Sequence, residues 1–184
     1  KKEAQLSMSY IIRTATSQDA SGMAAVHIQS WLETYPGIMP QQKLDSLNLE
    51  ASTRNWSNAI ATCEVVMVAE LEGRIIGFVS GGKNRSQEDC ETGLANFCDA
   101  ELAAMYMFAE FHGRGIGRAM FEAFTSRLRS LGYKQMAIWV AAKNSSTGFY
   151  RKMGGLLIDS RDLTVCGEQV LLLAYRCELG WARI

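Results

Sequence analysis

The chain has 184 residues, of which 48% are hydrophobic and 21% are charged, and its formal net charge is zero. This length suits one domain with a substantial core, and the balanced charge gives no electrostatic reason to expect a nucleic-acid partner. No apolar run approaches the roughly 18 residues that a membrane-spanning helix needs, so no membrane partner is expected either.

The first third of the chain is predicted to contain one strand and two helices. Residues 10–13 are rich in β-forming side chains and predict a short strand. Ser17 is a good N-cap, and the helix that it opens is expected to end before Pro36, because proline cannot continue a helix. A second helical stretch is predicted over about 41–60.

A hairpin and a buried strand are predicted next. The β-rich runs at 64–70 and 75–80 flank the sequence LEGR, which has the turn chemistry of a β-hairpin. Residues 81–98 are polar and glycine-containing, so we expect a loop there. Residues 101–108 are almost continuously apolar, as in a strand that is buried on both faces.

The remaining elements predict a strand–helix–strand crossover and a closing pair of strands. Apolar residues at three-four spacing predict a helix over 116–131, and the run 136–140 predicts a second buried strand. A short helix is expected within 144–155, which starts with an N-cap and ends on glycines. The sequences GLLID and QVLLLAYRC are expected to form the closing strands.

The cysteines and histidines limit the metal and redox chemistry. Five cysteines form no CxxC pair, and with only two histidines their spacing fits neither a zinc site nor a disulfide framework. An odd and scattered number favours a reducing compartment, so we expect a cytoplasmic protein without a metal. The cysteines are Cys63, Cys90, Cys98, Cys166 and Cys177.

Charge is sorted along the middle of the chain. Between Arg85 and Arg114 there is no Lys or Arg. The following stretch, as far as Lys134, is rich in basic residues and contains a single acid, Glu122. The sorting indicates either two solvated faces of opposite sign or a molecule that holds an anion and a cation close together. The acids of the first segment are Glu88, Asp89, Glu91, Asp99, Glu101 and Glu110.

Residues 111–120, FHGRGIGRAM, form a glycine turn between the predicted strand and helix. Helix N-termini usually favour acids because the helix dipole is positive there, yet this one is flanked by Arg114 and Arg118. Free backbone N–H groups at such a turn bind anions, and glycine lets the anion approach closely. The turn therefore predicts an anionic ligand.

Two common phosphate-binding motifs do not fit this turn. No Lys-Ser or Lys-Thr follows the glycines, so it is not a P-loop. The dinucleotide pattern GxGxxG fails in both registers, because Arg118 and Met120 stand where the last Gly or Ala is needed.

The segments ELAAMYMFAEFHGRGIGRAM and AIWVAAKNSSTGFYRKMGG resemble the GCN5-related N-acetyltransferase (GNAT) superfamily. The resemblance implies an α/β (α+β) fold with a mixed central sheet of about six to seven strands, splayed parallel strands four and five, and about four flanking helices. We expect residues 1–9 to be an irregular N-terminal extension and residues 10–184 to form a single acetyltransferase domain.

The resemblance also implies that acetyl-coenzyme A (acetyl-CoA) is the co-substrate. Its pyrophosphate is expected at the glycine turn, although His112 replaces the family's usual Gln or Arg. Met105 and Met107 are expected beside the pantetheine arm, and Asn144 matches a coenzyme-contacting asparagine. The predicted turn residues are His112, Gly113, Arg114, Gly115, Ile116, Gly117 and Arg118.

Two catalytic residues are expected by the same resemblance. Tyr150 matches the family tyrosine that lies near the sulfur and protonates the leaving thiolate, and it is also expected to contact the cofactor. Glu101 opens the central strand, where several members carry a glutamate that acts as a base directly or through water. On residue type alone, Tyr150 could instead be a buried helix residue and Glu101 a solvated acid.

His27, Trp31 and Tyr35 lie at i, i+4 and i+8 of the first helix and predict one aromatic face. This face is either core or an aromatic wall for an ammonium group opposite the acidic segment. The predicted acceptor is a small-molecule amine, favoured to be cationic, or a protein amine. The sequence leaves open whether the chain is a homodimer.

Two functions from different classes fit this sequence. The first is an acetyl-CoA-dependent N-acetyltransferase in which a primary amine attacks directly, without a covalent enzyme intermediate. The alternative is a non-catalytic acyl-CoA-binding sensor or interaction module on the same fold, because a fold does not fix a function. Tyr150 and Glu101 favour the enzyme, since a pure binder needs neither.

Overall fold

The computed structural model describes residues 9–85 and 94–180. These residues form seven strands and five α-helices, together with three short 3-10 turns. The strands are β1 (Tyr10–Thr14), β2 (Val65–Leu71), β3 (Arg74–Lys83), β4 (Ala100–Met107), β5 (Gln135–Ala141), β6 (Leu156–Val165) and β7 (Glu168–Glu178). The helices are α1 (Ala20–Thr34), α2 (Gln41–Asp45), α3 (Leu49–Thr62), α4 (Ile116–Ser130) and α5 (Thr147–Lys152).

The seven strands form one mixed sheet in the order β1-β2-β3-β4-β5-β7-β6. β4 and β5 are parallel, whereas the other neighbours are antiparallel. The parallel pair is joined only from Ala100–Met136 to Leu102–Ile138, so the two strands separate beyond Leu102. The predicted mixed sheet and the predicted splay of strands four and five are confirmed.

A β-bulge at Ala103 marks the start of the splay. Leu102 lies opposite Gly81 and Ala104 lies opposite Ser80, which leaves Ala103 as the extra residue. A Cβ at Gly81 would lie 2.1 Å from the Glu101 carbonyl oxygen, so only glycine permits this close approach. A bulge shifts the alternation of side chains between the two faces of the sheet.

The helices cover both faces of the sheet and enclose two parts of the core. On one face, α4 contributes Ile116, Met120 and Phe124 to a cluster that includes Leu102 of β4. On the other face, α1 and α3 pack over a second cluster in which Phe78 is fully buried. The four-residue spacing along α4 confirms its predicted amphipathic pattern.

The structure corrects two predicted element boundaries. The helix predicted over 41–60 is two helices, because the Asn48 side chain accepts a hydrogen bond from the Ala51 amide (2.9 Å) and caps a new start. The predicted loop at 81–98 is shorter, since β3 continues to Lys83. No helix in the described ranges is long and apolar enough to cross a membrane.

Several sequence predictions fall outside the described residues. They concern the N-terminal extension as far as residue 8 and the acidic segment that contains Glu88, Asp89 and Glu91. Cys90 lies in the same segment.

Candidate functional site

A cavity of about 530 Å³ lies where β4 and β5 separate. Its walls come from both strands, the C-terminal end of α1, the glycine turn before α4, and α5. Ten predicted site residues line it: Tyr35, Met105, Met107, His112, Gly113, Gly115, Gly117, Arg118, Asn144 and Tyr150. Five others do not: His27, Trp31, Glu101, Arg114 and Ile116.

The glycine turn leaves the N-terminus of α4 open to the cavity. Gly113 and Gly115 have φ values of 75° and 81°, a left-handed conformation that favours glycine, and no atom lies within 4 Å of a Cβ built on either. Gly115 occupies the N-cap position, and no side-chain hydrogen bond caps this helix end. The first backbone N–H groups of α4 are therefore available to an anion.

His112 anchors the glycine turn to the end of β4. Its Nε2 lies 3.1 Å from the Met107 carbonyl oxygen, which also accepts a hydrogen bond from the Ser30 hydroxyl (3.3 Å). Because a carbonyl oxygen only accepts, the Nε2 of His112 carries the proton in this contact. His112 thus fixes the turn through a backbone contact.

The backbone of β4 presents a free edge to the cavity. The Phe108 amide donates to the Ile76 carbonyl (3.1 Å), on the side of β3. Alternate residues of a strand direct their N–H and C=O groups to the same side, so those of Met105 point away from β3 and into the splay. The side chains of Met105 and Met107 approach Gly117, where a built Cβ would lie 3.7 Å from the Met107 Cε.

Tyr150 lies on α5 with only 6% of its surface exposed, yet it lines the cavity. Its hydroxyl makes no hydrogen bond with any described residue. Burial raises the pKa of Tyr150 well above its ordinary value of 10. The phenol is therefore protonated at neutral pH and has an O–H group that is free to donate.

Asn144 and Tyr35 connect two walls of the cavity. The Asn144 Nδ2 donates to the Tyr35 hydroxyl (3.2 Å), and both side chains are buried. The Asn144 Oδ1 accepts from the Ser146 amide (2.8 Å), which orients the side-chain amide. These contacts hold the end of α1 against the turn that precedes α5.

The predicted aromatic face of α1 forms, but most of it is core. Trp31 packs against Tyr35 with the ring centroids 4.6 Å apart and the planes tilted by 43°, and His27 packs edge-on against Trp56 and Tyr106. Burial lowers the pKa of His27 to about 4, with a smaller contribution from Lys43. His27 is therefore neutral at pH 7, and of the three predicted residues only Tyr35 reaches the cavity.

Glu101 lies at the closed end of the splay, where β4 still pairs with Ala137 of β5. Its carboxylate receives the Arg85 Nε at 2.6 Å, and its side chain is only 13% exposed. Neither Glu101 nor Arg85 lines the cavity.

Sequence reasoning did not find Trp139, Phe149, Ser30 and Lys152, which also line the cavity. A second, polar cavity of about 370 Å³ adjoins it and includes Glu33 and Lys143. Trp139 is an interior residue of β5, and a strand pattern alone does not say which face meets a cleft. Within the described ranges, no group of three or more His, Cys, Asp or Glu could hold a metal ion.

Comparison with known proteins agrees with this geometry. Residues 26–155 match the model of the acetyltransferase (GNAT) family. The chain is 30% identical over 171 residues to the uncharacterized N-acetyltransferase YuaI of Bacillus subtilis, covering 92% of this chain and 91% of that protein.

Solved structures share the fold. The structure of YncA, a putative acetyltransferase from Salmonella typhimurium with its cofactor acetyl-CoA, has a TM-score of 0.70 at 17% identity, over 96% of this chain and 97% of that one. The ribosomal-protein-alanine N-acetyltransferase of Brucella melitensis has a TM-score of 0.68 at 24% identity, over 91% and 99%. From the family match and the YuaI alignment together, the chain belongs to the acetyltransferase (GNAT) family.

Proposed function

We propose that this N-acetyltransferase transfers the acetyl group of acetyl-CoA to a primary amine by direct attack, without a covalent enzyme intermediate. The observation that carries the proposal is the splay of β4 and β5. It places a free strand edge, an uncapped helix N-terminus and an unpaired tyrosine hydroxyl around one cavity.

The residues present fit acetyl-CoA. The open N–H groups at Gly115–Arg118 suit a pyrophosphate, and the approach is not blocked because the space beside Gly113 and Gly115 is empty. The free edge of β4 at Met105 suits an amide-containing arm, and Asn144 lies opposite. Acetyl-CoA, which is present in the Salmonella relative's structure, supplies an activated acyl group as a thioester.

Tyr150 is proposed as the general acid. Its unpaired hydroxyl can give its proton to a thiolate leaving group in the cavity. Burial makes the phenol a weaker acid, but it makes a thiolate more basic as well, because surroundings of low polarity disfavour both charged forms. The proton transfer therefore stays feasible in the same low-polarity surroundings.

Glu101 is proposed as the general base, acting through water. Glu101 directly precedes Leu102, which lines the cavity, but does not line the cavity itself. A water chain rather than direct contact would therefore carry the proton. The ion pair with Arg85 (2.6 Å) holds the carboxylate in position.

A cationic acceptor, which the acidic segment predicts, remains a prediction, because Glu88, Asp89 and Glu91 lie outside the described residues. Tyr35 at the cavity wall is the part of the aromatic face that an amine would meet. A protein amine is the other acceptor class, as the name of the Brucella relative indicates for that protein.

The proposal is tested with acetyl-CoA and a panel of primary amines, by following free thiol and identifying the acetylated amine by mass spectrometry. Thiol release that depends on both enzyme and amine is the expected result. Tight coenzyme A binding without acetylation of any amine would favour the non-catalytic acyl-CoA binder instead. Tyr150→Phe serves as the matched variant in both the thiol-release assay and the measurement of coenzyme A binding.

A further inference from the structure

Trp139 connects the cavity to a basic side chain on the other half of the sheet. It lines the cavity from β5, and the Arg161 guanidinium of β6 lies over its ring, with the Cζ 4.4 Å from the centroid. Neither residue belongs to the glycine turn or to the proposed proton-transfer groups.

The strand register explains how Arg161 reaches Trp139. Trp139 lies opposite Ala174 of β7, and Arg161 lies opposite Leu172, two residues away on the same face of β7. Because Ala174 has a small side chain, the Arg161 side chain can extend across β7 and lie against the indole. The order β5-β7-β6 brings these residues together.

Two donors in this pair lack acceptors. The Nε of Arg161 and the Nε1 of Trp139 are buried and have no hydrogen-bond partner among the described residues. No ion pair joins Arg161 to an acid among the described residues. Arg176 on the same face forms an ion pair with Glu178 (3.1 Å), although its buried Nε likewise has no hydrogen-bond partner.

Arg161 does not itself line the cavity, but its guanidinium, whose buried Nε is unsatisfied, lies on the ring of Trp139, which does. Because leaving buried donors unsatisfied costs free energy, the pair indicates an anionic ligand. Stacking on the indole fixes the plane of the guanidinium. The coplanar N–H groups of a guanidinium match the two oxygens of a carboxylate. One cation suits a singly charged carboxylate better than a phosphate, whose charge at pH 7 is close to −2.

We propose that Arg161, held on Trp139, binds a carboxylate of the acceptor, so that the substrate is an amine that also carries a carboxylate. This inference rests on the proposed function and specifies its acceptor. It opposes the multiply cationic acceptor that the acidic segment predicts, and one substrate panel separates the two.

The test compares amino carboxylates, both α-amino acids and longer ω-amino acids, with their carboxamides and with spermidine. Values of kcat/KM are calculated from the concentration of the unprotonated amine. We expect the wild type to prefer at least one amino carboxylate over its carboxamide by about 10- to 100-fold in kcat/KM, the range that hydrogen bonds to a charged group give.

Arg161→Gln should abolish that preference by lowering kcat/KM for the carboxylate while leaving the carboxamide unchanged. Arg161→Lys, which keeps the charge but loses the planar fork, should retain only part of it. Arg129→Gln, which removes the same charge from the last turn of α4, is the matched control and should behave as the wild type. Melting temperatures identify any variant that fails to fold.

Two results would overturn the inference. One is a wild-type enzyme that acetylates amines without preferring any carboxylate over its amide, or that prefers spermidine. The other is an Arg161→Gln variant, folded as judged by melting, that keeps the carboxylate preference. If no amine at all is acetylated, the proposed function itself fails, which is a distinguishable outcome.

Discussion

Replacing Tyr150 by Phe removes one hydroxyl from the wall of the cavity and little else. Tyr150 is 6% exposed and its ring packs edge-on against Phe149, a contact that Phe retains. Because the hydroxyl makes no hydrogen bond with a described residue, no partner is left unsatisfied. The fold should therefore tolerate the change, with a free energy of unfolding within about 0.5 kcal/mol of the wild type.

The catalytic cost should be much larger. A positioned general acid contributes about 10²- to 10⁴-fold to a rate. Water can enter the space left by the hydroxyl and donate a proton, so we expect the lower end, a fall in kcat of about 100-fold, or about 2.7 kcal/mol of transition-state stabilisation. The KM for acetyl-CoA should change little, because the lost interaction forms late in the reaction.

The assay is steady-state thiol release from pH 6 to pH 10. Because burial raises the pKa of Tyr150, its protonated form persists across this range, and the phenol should produce no fall in the wild-type rate at high pH. Tyr175→Phe is the matched control: Tyr175 is fully buried, lies outside the cavity, and accepts a hydrogen bond from Arg151 (3.3 Å). Unchanged kcat in Tyr150→Phe at every pH would refute the role of the phenol.

Three further predictions follow from individual sites. Gly115→Glu should abolish thermal stabilisation by coenzyme A, because it places a carboxylate at the open N-terminus of α4. His27, whose pKa falls from about 6.5 in the unfolded chain to about 4 in the fold, should make stability decline as the pH is lowered from 6.5 to 4. The decline should be about 2 kcal/mol after allowance for solvent screening, and His27→Gln should remove it in urea titrations. Glu101→Gln should lower kcat about 100-fold without raising the KM for acetyl-CoA, as measured by thiol release.

Each of these predictions has its own control and contrary outcome. Gly115→Ala imposes the same left-handed strain without the charge, so a loss of coenzyme binding equal to that of Gly115→Glu would mean that backbone strain is the cause. The exposed His112 provides the comparison for His27: if only His112→Gln flattens the pH dependence, the assignment is wrong. Full activity in Glu101→Gln would mean that Glu101 is not the general base and that its carboxylate serves only to pair with Arg85.

Local patterns made much of the fold predictable. The glycine turn and the apolar spacing of α4 lie within one short stretch of sequence, and Gly113, Gly115 and Gly117 of that turn line the cavity. The hairpin between β2 and β3 was predictable for the same reason, since its turn carries Gly73 at φ 80°.

The rest of the site depends on contacts between distant segments. The bulge at Ala103 changes which face of the sheet the later side chains of β4 occupy. A continuous apolar run in the sequence gives no sign of this change. His27 belongs to a core because Trp56 and Tyr106 arrive from other elements, and Arg161 meets Trp139 only because β7 lies between β5 and β6. None of these three effects has a signal in the local spacing of apolar residues.

Hydrogen–deuterium exchange with and without coenzyme A tests the central claim most directly, that the splay of β4 and β5 holds the coenzyme. We expect slower exchange of the backbone amides at 103–107 and 113–118, because the free strand edge and the open helix end gain partners. The edge strand β6, Leu156–Val165, should exchange at an unchanged rate. Unchanged exchange in both predicted segments at saturating coenzyme A, or slower exchange confined to β6, would contradict the account.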